Sequence, residues 1–151
     1  MVKSVMALIL LRHATAVDGR FDLSDEARYL TSEGRTMARA VGATLRPRLG
    51  GRVLIISSPL VRAVQTAELA LGPLDVLITS SEALRPDNSP RAAFAELAAH
   101  LANADHVVAV GHEPSMSGLA ALALGASHHR ALGRAEALAF EAGALLWNLT
   151  A

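Results

Sequence analysis

The chain has 151 residues, enough for one domain with a sizeable core and little room for a second, so residues 1–151 are read as one domain. It is 52% hydrophobic and 19% charged, with 14 basic residues balanced by 14 acidic ones. That balance excludes wholesale disorder and argues against a nucleic-acid coat or a polybasic membrane anchor. The chain has no cysteine, which excludes disulfide staples, thiolate metal sites and a Cys nucleophile. No stretch approaches the ~20 apolar residues that span a bilayer, and the expected location is the cytoplasm.

The first element is the apolar run "VMALILL" (5–11), which ends abruptly in Arg12 and His13. With Lys3 before it and "ATA" after it, the segment imitates a secretory leader. The run is short for that role, and Arg12 and His13 lie between it and the cleavage-like tripeptide, so it reads better as a buried strand. "VDGRFDLSDEARYL" (17–30) is the longest polar connection. Thr31 then caps a helix with Met37, Val41 and Leu45 on one face, which Pro47 ends.

"RVLIISS" (52–58) is the second strand. The helix after it is expected to start with Pro59 in its first turn, to bury Val61, Val64 and Leu71, and to stop at Gly72-Pro73. A third strand, "DVLIT" (75–79), precedes a helix carrying Phe94, Leu97 and Leu101. "HVVAVG" (106–111) is the fourth strand, and Pro114 opens a helix that stops at Gly125. The last run, 138–150, has Gly143 at its centre and reads as two short strands with a turn, or one bulged strand, at a sheet edge.

The strands are nearly continuous in Val, Ile and Leu, as strands covered on both faces are. The alternation β-α-β-α-β-α-β-α-β predicts an α/β three-layer sandwich: a mainly parallel central sheet with helices on both faces and right-handed crossovers. Ligands of such sheets sit at the carboxyl ends of the strands. Strand one ends there in Arg12-His13. Strand two ends in "SSP", with Arg62 in the following first turn. Strand four ends in His112. Two Arg, two His and two helix N-termini would converge on one edge.

That set suits phosphate. Guanidinium matches phosphate oxygens bidentately and stays charged. Helix N-termini add free N–H groups and positive dipole ends. A protonated imidazole is a further donor, whereas a neutral one can attack phosphorus. Arg12 beside His13 disfavours the imidazolium and keeps a lone pair available. Each residue alone has a plain alternative: a strand-end pair by chance, a solvated helix arginine, a helix cap. The conjunction of three strand ends carries the reading.

The quoted segments resemble the histidine phosphatase superfamily, with its phosphoglycerate-mutase-like fold. "LRHATA" resembles the Arg-His-Gly signature, with Ala14 for the glycine. "LTSEGRTMARAVG", "SSPLVRAVQTA" and "VGHEP" resemble its helix-entry, arginine and second-histidine motifs. The short spacing between Arg62 and His112 leaves no room for a helical lid, and the chain is most similar to the small SixA-like branch of phosphohistidine phosphatases. The resemblance implies His13 as nucleophile, with Arg12, Arg62 and His112 binding the phosphoryl oxygens. It implies neither metal nor cofactor. The implied partner is a protein bearing phosphohistidine; a small phosphomonoester is the alternative, and a non-catalytic phosphate-recognition module is a third reading.

Larger members of the superfamily carry a Glu acid after the third strand. Here Glu82 is the nearest carboxylate and Asp87 the next, neither in a recognisable acid motif, and Glu82 is either that acid or a solvent-facing side chain. Asp18 and Asp22 are alternative acids in the polar connection. A missing acid is tolerable for a P–N bond, whose protonated nitrogen leaves readily, and less so for an alkoxide. His128-His129 has no third ligand spaced to help it hold a metal, and His100 and His106 are read as exposed. Trp147 is read as packing the last strand on a helix, and Ser57 and Ser58 as turn and cap groups.

Overall fold

A computed structural model describes residues 7–151. Positions 5 and 6 of the expected first strand, and Lys3 of the leader-like pattern, lie outside the described residues. Six strands form one sheet: β1 (Ala7–Arg12), β2 (Val53–Ser57), β3 (Ile78–Ser80), β4 (His106–Gly111), β5 (Ala137–Glu141) and β6 (Ala144–Leu149). Their order is β3-β2-β4-β1-β5-β6. The first four run parallel, and β5 pairs antiparallel with both β1 and β6. The helices are α1 (Ser32–Leu45), α2 (Val61–Leu71), α3 (Pro90–Leu101) and α4 (Ser115–Leu124). This is the expected sandwich, with the phosphoglycerate-mutase-like arrangement and no helical lid between α2 and β4.

Alternation along the strands divides the core. Ile9, Leu11, Val108 and Val110 pack with Val41 and Leu45 of α1 and Ala67 and Leu71 of α2. Leu8, Leu10, Val107 and Ala109 pack with Leu97 of α3 and Met116 and Leu119 of α4. Successive side chains of a strand point to opposite faces, so covering both faces demands an unbroken apolar run. Met37 is partly buried against the first of these clusters, and Phe94 and Leu101 against the second. Trp147 also packs on the α1/α2 side, with the Arg48 guanidinium 5.0 Å from its ring centre.

Two expectations are corrected. The third strand is Ile78–Ser80, not 75–79. Asp75 adopts a left-handed conformation (φ 55°) that closes the turn after α2, and as an edge strand β3 does not need the preceding apolar residues, so Leu77 is exposed. In α2, Pro59 stands ahead of the N-cap Leu60 instead of in the first turn, and Val61 is 38% exposed. The buried stripe is Arg62, Ala63, Thr66, Ala67, Ala70 and Leu71. Small residues win this face because α1 and α2 meet backbone to backbone: a Cβ on Gly42 would stand 2.4 Å from the Ala70 carbonyl oxygen. The same rotation turns Arg62 inward.

The C-terminal run forms two strands joined at Ala142-Gly143, both with positive φ as a two-residue hairpin turn requires, and a bulge lies at Ala139/Phe140. Of these two strands β6 is the edge, and β5 lies between it and β1. Thr31 caps α1, its side chain accepting from the Gly34 N–H at 2.9 Å. Gly34 has a second duty. A Cβ there would stand 1.9 Å from the Thr15 carbonyl oxygen, so only glycine lets α1 press on the segment after His13. Gly34→Ala is expected to destabilise the protein by about 2 kcal/mol or more, measured by urea unfolding, because rigid backbone is what the methyl meets.

Candidate active site

The pairing of β1, β4 and β2 brings the three strand ends level. Arg12 stands opposite Gly111, and Ser57 opposite Val110. The ladder continues one residue further on each side: the His13 N–H donates to Gly111 O (3.0 Å) and the Ser58 N–H to Val110 O (2.8 Å). His13, Ser58 and His112 therefore share one edge. The rings of His13 and His112 lie 5.2 Å apart between centres, tilted by 54°. Arg12 and Arg62 both act electrostatically on both imidazoles. The structure thus brings together all four residues singled out in the sequence. His13, Arg62 and His112 are buried, and Arg12 is partly so.

The His13 Nδ1 is 2.7 Å from the Ala14 carbonyl oxygen. A carbonyl only accepts, so this contact assigns the proton to Nδ1 and leaves the lone pair on Nε2. Ala14 is itself fixed, its N–H donating to Thr66 Oγ1 (3.0 Å), while the Thr66 hydroxyl donates to Arg62 O (2.7 Å). Burial pushes the His13 pKa down to about 4; the Ala14 contact opposes this, while Arg62, Arg12 and Arg28 add to it. His112 is held lower still, at about 3, by burial first, then by His13 and Arg62. Both rings are neutral at pH 7.

The His112 Nε2 is 2.7 Å from Ser58 Oγ, which also accepts from the Leu60 N–H (3.2 Å). Ser58 Oγ keeps a second lone pair as well as its proton, so it bonds Nε2 in either tautomer of His112 and leaves Nδ1 as the free ring nitrogen. Arg62 spreads its terminal nitrogens over Asp25, Nη1 to the backbone oxygen (2.8 Å) and Nη2 to the carboxylate (3.3 Å). Arg12 donates through Nη1 to Leu132 O (2.8 Å). Burial lowers the pKa of both guanidiniums, and the charges of Glu113 on Arg12 and Asp25 on Arg62 oppose it.

Among the described residues, four buried side-chain N or O atoms have no hydrogen-bond partner. Two are guanidinium donors, Arg12 Nε and Arg62 Nε, and the third is the ring nitrogen His112 Nδ1. The fourth is Glu113 Oε2. Buried polar groups are otherwise almost always satisfied, and each orphan costs ~1–3 kcal/mol. Two unpartnered guanidinium donors, on arginines whose charges act on the His13 imidazole, suit an anion with several oxygens.

The candidate acids fall elsewhere. Glu82 is exposed and ion-paired with Arg85. Asp22 is exposed and pairs with Arg20 at 3.1 Å, Asp18 is exposed, and Asp87 shares a cleft with Asp25, Leu60 and Arg85. The carboxylate that does reach the cluster is Asp25, three residues beyond Asp22. Its hydrogen bond from Arg28, with help from Arg62, lowers its pKa and keeps it ionised, so it anchors Arg62 and does not donate a proton. Sequence reasoning also missed Thr66, although i+4 spacing from Arg62 placed it on the same helix face. Ser58 is a turn group as expected, and it holds His112 besides. Glu113 accepts from the Ser117 N–H through Oε1 (2.8 Å). Among the described residues no cluster of three or more His, Cys, Asp or Glu could hold a metal ion. His128 is exposed; His106 is half-buried, its Nδ1 2.8 Å from Gly50 O, and His100 is half-buried too. No helix among them is long and apolar enough to cross a membrane.

A parallel-sheet edge lined with two histidines and two buried arginines defines a class of phosphate-handling α/β protein. Residues 8–86, more than half of the chain, match the histidine phosphatase superfamily (branch 1), and the chain belongs to that family. The second histidine motif lies beyond the matched stretch and is placed beside the first by the fold. An uncharacterised protein of Picosynechococcus is 35% identical over 147 residues, covering 92% of this chain and 87% of the relative. Solved structures share the fold at lower identity. The Agrobacterium tumefaciens protein provisionally assigned as the phosphohistidine phosphatase SixA has a TM-score of 0.85 at 20% identity, covering 97% of this chain and 99% of that one. The protein histidine phosphatase SixA complexed with tungstate has a TM-score of 0.81 at 22% identity, covering 96% and 97%. A mycobacterial glucosyl-3-phosphoglycerate phosphatase has a TM-score of 0.71 at 21% identity, covering 88% of each.

The depressed imidazole pKa values make stability depend on pH. Unfolded His binds its proton near pH 6.5, whereas folded His13 binds it only near pH 4. Below 6.5 the unfolded chain therefore holds more protons and stability falls as pH falls. For His13 the loss is on the order of 3 kcal/mol once pH is below its folded value. Chemical unfolding between pH 7 and 4 measures the slope, and His13→Ala is expected to flatten it.

Proposed function

We propose that the protein is a phosphohistidine phosphatase that works through a phosphorylated His13. The observation that carries this reading is the neutral His13 imidazole, its lone pair on Nε2, grouped with His112 and with two arginines whose buried Nε donors have no partner. In this reading the donors hold the phosphoryl oxygens and neutralise charge in the in-line transfer. His13 Nε2 attacks phosphorus, and the P–N bond to the substrate's imidazole breaks. The substrate's phosphoimidazole carries a proton on its other ring nitrogen before attack, so the departing nitrogen keeps the P–N electron pair and leaves as neutral imidazole. The Ala14 carbonyl then faces the positive imidazole ring of phospho-His13 and stabilises it through Nδ1–H. Water attacks phosphorus, releasing inorganic phosphate and restoring neutral His13.

Substrate choice follows from what the site does not supply. None of Glu82, Asp18 and Asp22 hydrogen-bonds a residue of the cluster, and Asp25 is held ionised. A protonated nitrogen needs no acid; an alkoxide does. The phosphatase reading also agrees with the superfamily and with the fold shared with SixA, and the pure recognition reading leaves the assigned Nε2 lone pair without a purpose. Labelled phosphoramidate, quenched rapidly, is expected to leave acid-labile, base-stable phosphate on His13. His13→Ala is expected to lose turnover by a factor of ~1,000 or more while staying folded. Faster turnover of p-nitrophenyl phosphate than of phosphoramidate would instead select a phosphomonoesterase. Ser58→Ala, which frees the His112 ring to rotate, is expected to lower turnover ~10- to 100-fold with His13 still phosphorylated.

A further inference from the structure

Glu136 is a buried carboxylate that the reaction leaves unused. It is 3% exposed and stands just before β5. Its oxygens accept from Arg130 Nη1 (2.8 Å), Arg130 Nη2 (2.6 Å) and the Gly133 N–H (2.8 Å), and Asn148 Nδ2 stands 3.5 Å away. A carboxylate taken out of water is costly unless it is paired and hydrogen-bonded, and a guanidinium fork meets both needs. The hydrogen bonds from Arg130 push the Glu136 pKa down to about 2, whereas His13 titrates near 4. The pair is therefore intact wherever His13 is neutral.

What this carboxylate closes is a turn. The Glu136 N–H donates to Gly133 O (3.1 Å) while the Glu136 side chain takes the Gly133 N–H. Between them Ala135 is fully buried with φ 56°, a left-handed conformation that a residue with a Cβ keeps only where its surroundings over-determine it. The same turn grips the end of β1. The Ala135 N–H is shared between Arg12 O (3.1 Å) and His13 O (3.2 Å), and the Arg12 N–H donates to Glu136 O (3.1 Å). Arg12 Nη1 donates to Leu132 O (2.8 Å), and Leu132 is itself anchored in the core. Residues 132–136 thus hold both the main chain and the guanidinium of Arg12. Tying Nη1 to Leu132 O fixes the guanidinium while its Nε stays without a partner.

We propose that Glu136 is a positioning residue of the phosphate site: clasped by Arg130, it holds the turn 132–136 in the strained shape that fixes Arg12. This rests on the reading of Arg12 as a ligand of the phosphoryl group. A Glu136 that only stabilised the start of β5 would affect unfolding and leave phosphate binding alone.

Calorimetric binding of inorganic phosphate reports on Arg12 independently of turnover. Glu136→Gln keeps the shape and removes the charge. Under conditions where urea unfolding shows it folded, it is expected to weaken phosphate binding about tenfold and to raise KM for phosphoramidate by a similar factor. In an Arg12→Lys background the same substitution is expected to have no further effect, because the planar fork that reaches Leu132 O is gone. Arg130→Gln opens the clasp from its exposed side and is expected to weaken phosphate binding in the same direction; it takes the place of Glu136→Gln if that variant does not fold. Unchanged phosphate binding in the folded variant, or an equal loss in the Arg12→Lys background, would overturn the positioning role. Absence of phosphate binding by the wild type would overturn it together with the site. Wild-type protein that binds phosphate without turning over phosphoramidate would instead strike the phosphatase reading and leave the clasp standing.

Discussion

The parallel pairing of β4 between β1 and β2 is the constraint on which the rest of the molecule depends. It places three sequence-distant strand ends at one level, so that His13, Ser58 and His112 share one edge. A one-residue slip of β1 against β4 would turn His13 to the opposite face and disconnect it from His112. The register is secured by the apolar alternation on both sides of the strands, with Ile9 and Leu11 committed to the α1/α2 layer and Leu8 and Leu10 to the α3/α4 layer. Stability of the core and geometry of the site are therefore one property.

The site itself is kept under tension. Two arginines and two histidines are drawn into a region where charge is costly, and their counter-groups are only partial. Asp25 and Glu113 oppose the lowered arginine pKa values, and the Leu132 and Asp25 backbone oxygens take one donor from each arginine. What is left over is the set of unpartnered donors. The imidazoles respond by remaining neutral, since they, unlike arginine, can shed a proton. One environment thus holds two permanent cations beside two neutral imidazoles. A bound phosphate dianion would reverse the field and raise both imidazole pKa values.

Openness is the other side of the design. The path from α2 to β4 contains only the short β3 and α3, so nothing folds over the strand ends. The connection 17–30 borders the site without covering it, fastened through Asp25 to Arg62 and through Arg28 to its own stem.

Much of this was written in the chain order. Periodicity marked both faces of the sheet as covered, glycine and proline marked the ends of α4, and Arg12, His13, Arg62 and His112 announced themselves by standing where strands end. Those signals are local, and local pattern suffices when an element is buried on both sides. Other features depended on neighbours. The face that α2 buries was chosen by its close approach to α1 at Gly42, which selected alanines over Val61 and carried Arg62 inward. Asp25, not Asp18 or Asp22, reaches the cluster because the two bridges in 17–30 set where that connection folds back. The tautomer of His13 is fixed by a carbonyl that only the folded backbone brings near. Sequence determined which residues could do the chemistry; packing of one element on another decided which atoms face it.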